Sequence, residues 1–330
     1  MDIFIQQLIN GLTLGAVYAL VALGYTMVYG IIGLINFAHG EVVMLGAMVA
    51  FTVITAAVGA NLGVPPVIVV LLGVLVAMPV CMVIGYGLER VAYRPLRNAP
   101  RLAPLITAIG MSIILQQLAM MIWSRNNLAF PQIIPITSFE IGGATITGVQ
   151  IAIIVMSVVL MACLSLLVLR TRIGIAMRAT AENPQVAALM GVATDRVIAA
   201  TFVIGAGLGA IAGVMFGTYY GIAHYTMGAT LGLKAFSAAV LGGIGNLAGA
   251  MLGGIVLGLV EALGAGYIGD FTDLCTWPGV KGVFAERCAD AGHMILFGSN
   301  YQDVFAFLVL ILVLVFRPSG LLGERVADRA

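Results

Sequence analysis

Charged side chains are scarce in this 330-residue sequence. Asp, Glu, Lys and Arg together make up only 9% of the residues, whereas soluble domains carry about 25% charged residues. The composition therefore excludes a soluble globular protein. The formal net charge is only +1, and because nucleic-acid binding relies on a clear positive excess, no nucleic-acid partner is implied.

The motifs that carry enzyme chemistry are also missing. The sequence contains no glycine-rich phosphate loop ending in Lys-Ser or Lys-Thr, no nucleophile elbow and no metal-ligand spacing. The chain is therefore predicted not to be an enzyme, not to hydrolyse ATP by itself, and to hold neither a metal nor another cofactor. Paired histidines are missing as well, which argues against a membrane anchor for an enzyme complex.

Long apolar runs make up most of the chain, with 62% hydrophobic residues. A transmembrane helix needs about 20 apolar residues, and such runs recur throughout. They predict an all-α polytopic integral membrane protein with about eight to ten transmembrane helices and two broken or re-entrant segments. The expected spans are 6–29, 42–58, 67–86, 103–123, 149–169, 197–220, 231–268 and 304–316.

Two glycine-containing breaks interrupt the apolar sequence. The first begins at residues 30–33 and continues into Asn36, His39 and Glu41, and the second contains Gly242, Gly243, Gly245 and Asn246. Because broken helices at membrane depth mark transport paths in many carriers, both breaks are candidates for lining a pathway. A turn at the inner water interface is the alternative for His39 and Glu41.

Lys234 and Glu261 lie on either side of the second break. The two side chains could form an ion pair, lie beside an aqueous path, or occupy plain interfacial positions. A proton-coupled transporter would need a buried carboxylate with a partner, and Glu261 is the candidate for that role.

Arginine placement predicts the orientation of the chain in the membrane. Segments 89–101 and 170–196 contain four arginines each and the C-terminal tail contains three, whereas 124–148 and 269–303 together contain three basic residues. The arginine-rich segments and the C-terminus are therefore expected in the cytoplasm. Segments 124–148 and 269–303 are expected to face outward.

Only four cysteines are present. Cys81 and Cys163 lie in apolar runs, where a thiol usually serves as a small apolar filler. Cys275 and Cys288 share the outward segment 269–303. An oxidising periplasm permits a disulfide between them, and two free thiols are the alternative.

The longest strongly polar interval between apolar runs is 170–196. Asn183 is a good N-cap, Pro184 loses no hydrogen bond at the first helical position, and Gly191 can adopt the left-handed conformation that closes a helix. The pattern predicts a surface helix of about two turns at 184–190 and a second helix from about residue 194. The residues expected to engage a partner are Arg178, Glu182, Asn183, Pro184, Ala187, Gly191, Asp195 and Arg196.

The next span carries glycine at every fourth position: Gly205, Gly209, Gly213 and Gly217. These glycines form one smooth ridge, along which a neighbouring helix backbone can approach closely. Static helix packing is one interpretation of the ridge, and a sliding interface used in a conformational cycle is the other.

Several stretches carry a family resemblance when they are taken together. They are NGLTLGAVYALVALGYTMVYGIIGLINFAHGE at 10–41, ERVAYRPLR at 89–97, LITAIGMSIILQ at 105–116, AENPQVAALMGVATDRVIAATFVIGA at 181–206, LKAFSAAVLGGIGNLAGAMLGG at 233–254 and RPSGLLG at 317–323. Together they resemble the LivH-type permease subunits of bacterial ABC importers for branched-chain amino acids. They cover most of the chain and occur in the family's order.

The resemblance implies a single transmembrane permease domain over residues 1–330, located in the bacterial inner membrane. The implied partners are a second, LivM-type permease, two cytoplasmic ATP-binding subunits that bind the ATP, a periplasmic substrate-binding protein and membrane lipid. Residues 184–191 would form the coupling helix of a cytoplasmic coupling loop, 170–196. Segment 269–303 is longer than the family leads us to expect and would form a periplasmic insertion.

Three points stay open in the sequence. Ala187 and Ala188 precede Gly191 by one residue too few for the usual coupling signature, so the docking residues are not fixed. Related importers carry urea or short amides, and the sequence does not separate these substrates from branched-chain amino acids. A stand-alone secondary transporter is the alternative from another class, and it would depend on Glu261, His39 and Glu41.

Overall fold

A computed structural model describes residues 2–61, 63–97, 99–100, 102–134, 137–141, 143–271 and 301–323 of the chain. The Cys275–Cys288 pair and most of the predicted insertion 269–303 lie outside these residues, so both stay predictions. Within the described residues the chain is helical almost throughout, with two small two-stranded sheets in the loops. This architecture confirms the all-α fold class.

Eleven α-helices follow one another in the described part of the chain. They are α1 (Asp2–Ile32), α2 (His39–Gly59), α3 (Pro66–Gly87), α4 (Leu102–Ile122), α5 (Gly148–Arg170), α6 (Arg172–Glu182), α7 (Pro184–Leu189), α8 (Thr194–Tyr220), α9 (Met227–Gly242), α10 (Leu247–Phe271) and α11 (Gln302–Phe316). Seven of these helices are long and apolar enough to cross a membrane, and α9 and α11 are apolar but shorter. Seven long and two shorter helices agree with the predicted eight to ten.

The first break lies slightly later than predicted. α1 continues through Gly30 to Ile32, and the chain leaves the helix at Gly33, whose φ is +64°. A glycine inside a helix costs only about 1 kcal/mol relative to alanine, which the packing of a long buried helix offsets. The prediction that the break begins at Gly30 was therefore wrong, and it begins at Gly33.

The predicted loop 89–101 is partly helical. α3 continues without interruption into a π-helical turn, Leu88–Tyr93, and a 3₁₀ turn, Arg94–Leu96. Glu89 is buried in this extension and forms an ion pair with Arg97. Because Glu89 has an ion-pair partner within the fold, its charge can be buried in a helical turn. The charged residues in 89–97 therefore extend α3 instead of forming a loop.

One end of the bundle carries the small sheets. β1 (Leu128–Ala129) pairs antiparallel with β4 (Ile222–Ala223), and β2 (Ser138–Ile141) pairs with β3 (Ala144–Thr147). The start of α1 lies at this end too, because the Thr145 amide donates a hydrogen bond of 2.8 Å to the Gln6 side chain. The segments after α4 and α8 and the first turns of α1 therefore share one end.

The opposite end gathers the arginines and is called the arginine-rich face. It consists of residues 89–97, 170–196, 243–246 and 317–323. Asp195 joins the first two segments through ion pairs to Arg94 and Arg97. The amides of residues 321 and 322 donate to the carbonyl oxygens of residues 241 and 242, which brings the last segment beside the α9–α10 turn.

Helices α1 and α8 form the centre of the bundle. In each of them 78% of the apolar span is buried, against 17% in α4, 22% in α3 and 28% in α5. The three outer helices turn long apolar side chains outward, as lipid contact requires. The first break, with His39, is packed on these two central helices.

Candidate functional site

The first break places the start of α2 inside the bundle. His39, the first residue of α2, packs on Gly24 of α1, where an added β-carbon would collide with the imidazole. Gly24 lies eight residues before the end of α1, about 12 Å along the helix axis. The chain therefore turns back after Ile32 and re-enters the bundle. This geometry favours a break at membrane depth over a turn at the water interface.

Asn36 and His39 are almost completely buried at this turn. Asn36 accepts a hydrogen bond of 2.8 Å from the Tyr93 hydroxyl, which ties the turn to the extension of α3. His39 lies edge-on to the Tyr25 ring, with the ring centroids 4.9 Å apart. Its Nε2 has no hydrogen-bond partner among the described residues. The imidazole is thus held by packing and by a hydrogen bond to the Val21 backbone, and Nε2 is left unused.

Glu41 is fully buried in the first turn of α2. Its Oε1 accepts hydrogen bonds from Ser112 Oγ and Gln116 Nε2 of α4, each at 3.0 Å. Its Oε2 has no partner within the described ranges. A buried acceptor without a partner is costly and rare in folded proteins. The carboxylate therefore joins the outer helix α4 to the central helices and retains one free oxygen.

The N-terminus of α9 meets the N-terminus of α2 at Glu41. A β-carbon on Gly228 would lie 3.0 Å from the Glu41 Cα atom, and one on Gly232 would lie 2.9 Å from the Gly40 Cα atom. Each helix N-terminus carries about half a positive elementary charge, so a carboxylate between two of them is favourable. We call this meeting of residues 36–41 with residues 228–232 the helix crossing.

The glycine ridge of α8 packs on the helix crossing. Gly205 lies against Gly24, and a β-carbon on Gly209 would lie 3.4 Å from the imidazole of His39. A β-carbon on Gly213 would overlap the carbonyl oxygen of Val43 in α2. Gly217 instead faces the Phe130 ring near the sheet end of the bundle. Three of the four ridge glycines therefore allow α8 to approach α1 and α2.

The second break lies at the other end of α9, on the arginine-rich face. Gly243 and Gly245 have φ values of +107° and +97°, which glycine adopts without strain. Asn246 caps α10 by accepting from the Gly249 amide at 3.1 Å, and it donates to the Leu322 carbonyl at 2.8 Å. Gly242 packs on the backbone of Gly249. The structure therefore separates the second break from Glu41 by the length of α9, about 24 Å.

Lys234 and Glu261 form an ion pair within the bundle, with Nζ and Oε1 2.7 Å apart. The Tyr18 hydroxyl donates to the other Glu261 oxygen at 3.0 Å. Lys234 also lies 2.7 Å from an oxygen of Asp303 in α11. Tyr18 and Asp303 were missed in the sequence, although Asp303 precedes an apolar run directly. Glu261 is thus a buried carboxylate with one oxygen bonded to Lys234 and the other to Tyr18.

The predicted surface helix is present as α7. The Asn183 side chain accepts from the amides of Gln185 and Val186, each at 3.0 Å. Gly191 closes the helix with a φ of +87°. Pro184 occupies the first helical position and Ala187 is buried against the rest of the loop. These contacts confirm the helix and its boundaries to within one residue.

The charged residues of the loop have separate environments. Arg178 donates to the Val168 carbonyl at the end of α5, so it closes the loop against the bundle. Asp195 is held by Arg94 and Arg97 of the α3 extension. Glu182 and Arg196 are exposed. The two arginine partners of Asp195 were missed, because the sequence separates them from it by about a hundred residues.

Comparisons with known proteins agree over nearly the whole chain. Residues 7–314 match the family model described as the permease component of branched-chain amino acid transport systems. The chain is 46% identical to the high-affinity branched-chain amino acid transport system permease protein BraD of Pseudomonas aeruginosa, over 97% of this chain and 96% of that protein. It is 43% identical, over the same shares, to the permease proteins LivH of Salmonella typhimurium and of Escherichia coli K12. No solved structure matches the chain.

Proposed function

Since the chain belongs to the family of branched-chain amino acid transport permeases, we propose that it is the membrane-spanning subunit of an ATP-driven importer for these amino acids. The identity to BraD and LivH over almost the full length of each chain supports the substrate class. The family consists of transport subunits rather than enzymes. The chain therefore acts together with partner proteins.

The proposed partners are a second, LivM-type permease, two cytoplasmic ATP-binding subunits and a periplasmic substrate-binding protein. ATP is bound by the ATP-binding subunits. The positive-inside rule favours a cytoplasmic location for the arginine-rich face. This orientation puts the C-terminus in the cytoplasm of a bacterial cell and the sheet end of the bundle in the periplasm, where the binding protein delivers substrate.

The observation that carries the ATP-driven mechanism is the apolar tip of α7. Leu189 is 86% exposed and Met190 is 80% exposed, more than the other exposed apolar side chains of the loop, Ile173, Ile175 and Val186. Apolar side chains clustered on an exposed surface helix mark a protein interaction site. We therefore assign α7 as the coupling helix, with Leu189 and Met190 inserted into a groove of an ATP-binding subunit.

Motion of α7 would reach the membrane through α8. Only residues 190–193 separate the two helices, so a shift of α7 pulls directly on the first turn of α8. The ridge glycines of α8 lie against Gly24 and Val43 at the helix crossing. Because the ridge positions themselves carry no side chains, we infer that α8 can slide along α1 and α2. In this proposal the amino acid passes near the helix crossing, at the interface with the second permease.

The test uses the complete importer in proteoliposomes with ATP and binding protein. Replacing Leu189 and Met190 with asparagine should lower leucine uptake at least tenfold, because the docking surface is lost. The matched control replaces Ile173 and Ile175, an exposed apolar pair of α6, and should retain most uptake. Equal uptake by both variants would contradict the assignment of α7. Competition by urea but not by isoleucine would contradict the substrate class.

A further inference from the structure

A cavity of about 540 Å³ lies on the arginine-rich face, between the end of α3 and the start of α8. Tyr86, Arg90 and Arg94 line it from the α3 side, and Arg196 and Ala199 line it from α8. It is separate from both the apolar tip of α7 and the helix crossing. Val192 and Ala193, in the linker from α7 to α8, also line it, so the cavity adjoins the proposed coupling loop. No ligand of the cavity has a part in the proposed coupling or the proposed pathway.

Two arginines of the cavity have no counter-ion in the described part of the chain. Asp195 and Glu89 are paired with Arg94 and Arg97, whereas the guanidinium groups of Arg90 and Arg196 make no ion pair there. Three arginines and two acidic residues, Glu89 and Asp195, line the cavity, so its lining carries a small positive excess. Planar guanidinium groups bind the oxygens of a phosphate in two-pronged fashion, so the charge and geometry suit a phosphate group.

The depth of the cavity matches the head-group layer of a bilayer. Tyr86 lies twenty residues after the start of α3 at Pro66, about 30 Å along the helix. Ala199 lies about 32 Å from the opposite end of α8 at Tyr220 by the same rise. A hydrocarbon core is about 30 Å thick. Counted from Pro66 and Tyr220 as the opposite edge of the hydrocarbon core, the cavity floor lies at the near edge, and Arg90 and Arg196 lie one turn beyond it.

Along the outward surface of α3, the exposed residues change from apolar to aromatic to basic as they approach the cavity. A lipid changes in the matching order, from acyl chain to glycerol to phosphate. Val80 and Val83 are exposed within the apolar part of the helix, Tyr86 follows at 48% exposure, and Arg90 comes next. An acyl chain packs on the valines, the glycerol region meets the tyrosine, and the phosphate reaches the arginine. This succession favours a lipid phosphate over a phosphate ion from solution.

We propose that the cavity binds the phosphodiester head group of an anionic phospholipid, held by Arg90 and Arg196. The assignment to the cytoplasmic leaflet rests on the proposed orientation of the chain. The bound lipid would fill the space between the α3 extension and the first turn of α8, close to the loop that carries α7. The site is a candidate for control of the importer by membrane composition.

The test measures lipid binding to the purified full-length chain in neutral detergent by native mass spectrometry. Phosphatidylglycerol and phosphatidylcholine are titrated separately. The unaltered chain should bind phosphatidylglycerol at least tenfold more tightly. The double variant R90Q/R196Q should lose this affinity by roughly thirtyfold, about fivefold for each arginine. R90K/R196K keeps both charges but loses the planar fork, so it should bind phosphatidylglycerol less tightly than the unaltered chain and more tightly than R90Q/R196Q. Such residual binding would show that the cavity still forms.

The matched control is R170Q/R172Q, which removes two exposed arginines of the same face outside the cavity. It should bind phosphatidylglycerol like the unaltered chain. Equal losses in R90Q/R196Q and R170Q/R172Q would overturn the proposal, because the effect would then be one of net charge. Displacement of the lipid by millimolar inorganic phosphate would overturn the claim that the ligand is a lipid rather than a free phosphate ion. Since no transport is measured, neither outcome depends on the proposed function.

Discussion

Replacing Lys234 with methionine should destabilise the bundle more than replacing Lys234 and Glu261 together. The Lys234 side chain is 12% exposed and that of Glu261 is 1% exposed. Removing one partner of a buried ion pair typically costs about 3–5 kcal/mol, because the other charge is left uncompensated. Glu261 would keep its hydrogen bond from Tyr18. We therefore expect Lys234→Met to lower the free energy of unfolding by an amount near the lower limit, about 3 kcal/mol.

The partner substitution Glu261→Gln should cost less. Lys234 would keep its contact of 2.7 Å with Asp303, whose carboxylate is 48% exposed. The expected loss in unfolding free energy is about 1–2 kcal/mol, as for a weakened buried hydrogen bond. In the double variant K234M/E261Q no buried charge lacks a partner, because Asp303 can be solvated. The double variant should therefore be more stable than K234M alone.

The assay is reversible unfolding in mixed micelles, followed by far-UV circular dichroism as the denaturing detergent is increased. The four proteins form a double-mutant cycle, which isolates the coupling between the two side chains. Arg170→Gln, an exposed position on the arginine-rich face, is the control and should change little. If the losses of K234M and E261Q simply add in the double variant, the two charges are not coupled and the argument fails.

Three more substitutions address packing and the loop. Gly213→Val should strongly lower the thermal midpoint, because its side chain overlaps the Val43 carbonyl, whereas Gly110→Val has open space on α4 and should not. Equal midpoints would contradict the α8 packing. Gly191→Val should introduce about 1–3 kcal/mol of strain at a φ of +87° and reduce leucine uptake per ATP hydrolysed; an unchanged ratio would count against coupling. Asn183→Ala should remove about 1 kcal/mol of capping and speed amide exchange in the first turn of α7, and unaltered exchange would exclude the cap.

The features that the sequence predicted well depend on neighbouring residues. The spans follow from the length of apolar runs, which the bilayer thickness fixes. α7 follows from Asn183, Pro184 and Gly191, since capping and the left-handed closing residue act within one or two turns. The second break, between α9 and α10, is predicted in the same way, because its glycines adopt positive φ.

The features that the sequence did not predict depend on distant contacts. The helical extension after α3 is stabilised by Glu89, Arg97 and Asp195, and the last of these lies about a hundred residues away. The re-entry of the chain before His39 requires the smooth surfaces of Gly24 and α8 on which it packs. No local pattern encodes which glycines of one helix face which backbone atoms of another. The break was therefore recognised, but its start was misplaced and its depth was left between two alternatives.

The most direct measurement is leucine uptake into proteoliposomes that contain this chain with or without its proposed partners. With the second permease, the ATP-binding subunits, the binding protein and ATP, uptake should proceed and should stop when a non-hydrolysable nucleotide replaces ATP. The chain alone should show no uptake, even under an imposed proton gradient. Uptake by the chain alone, driven by that gradient and indifferent to nucleotide, would contradict the account.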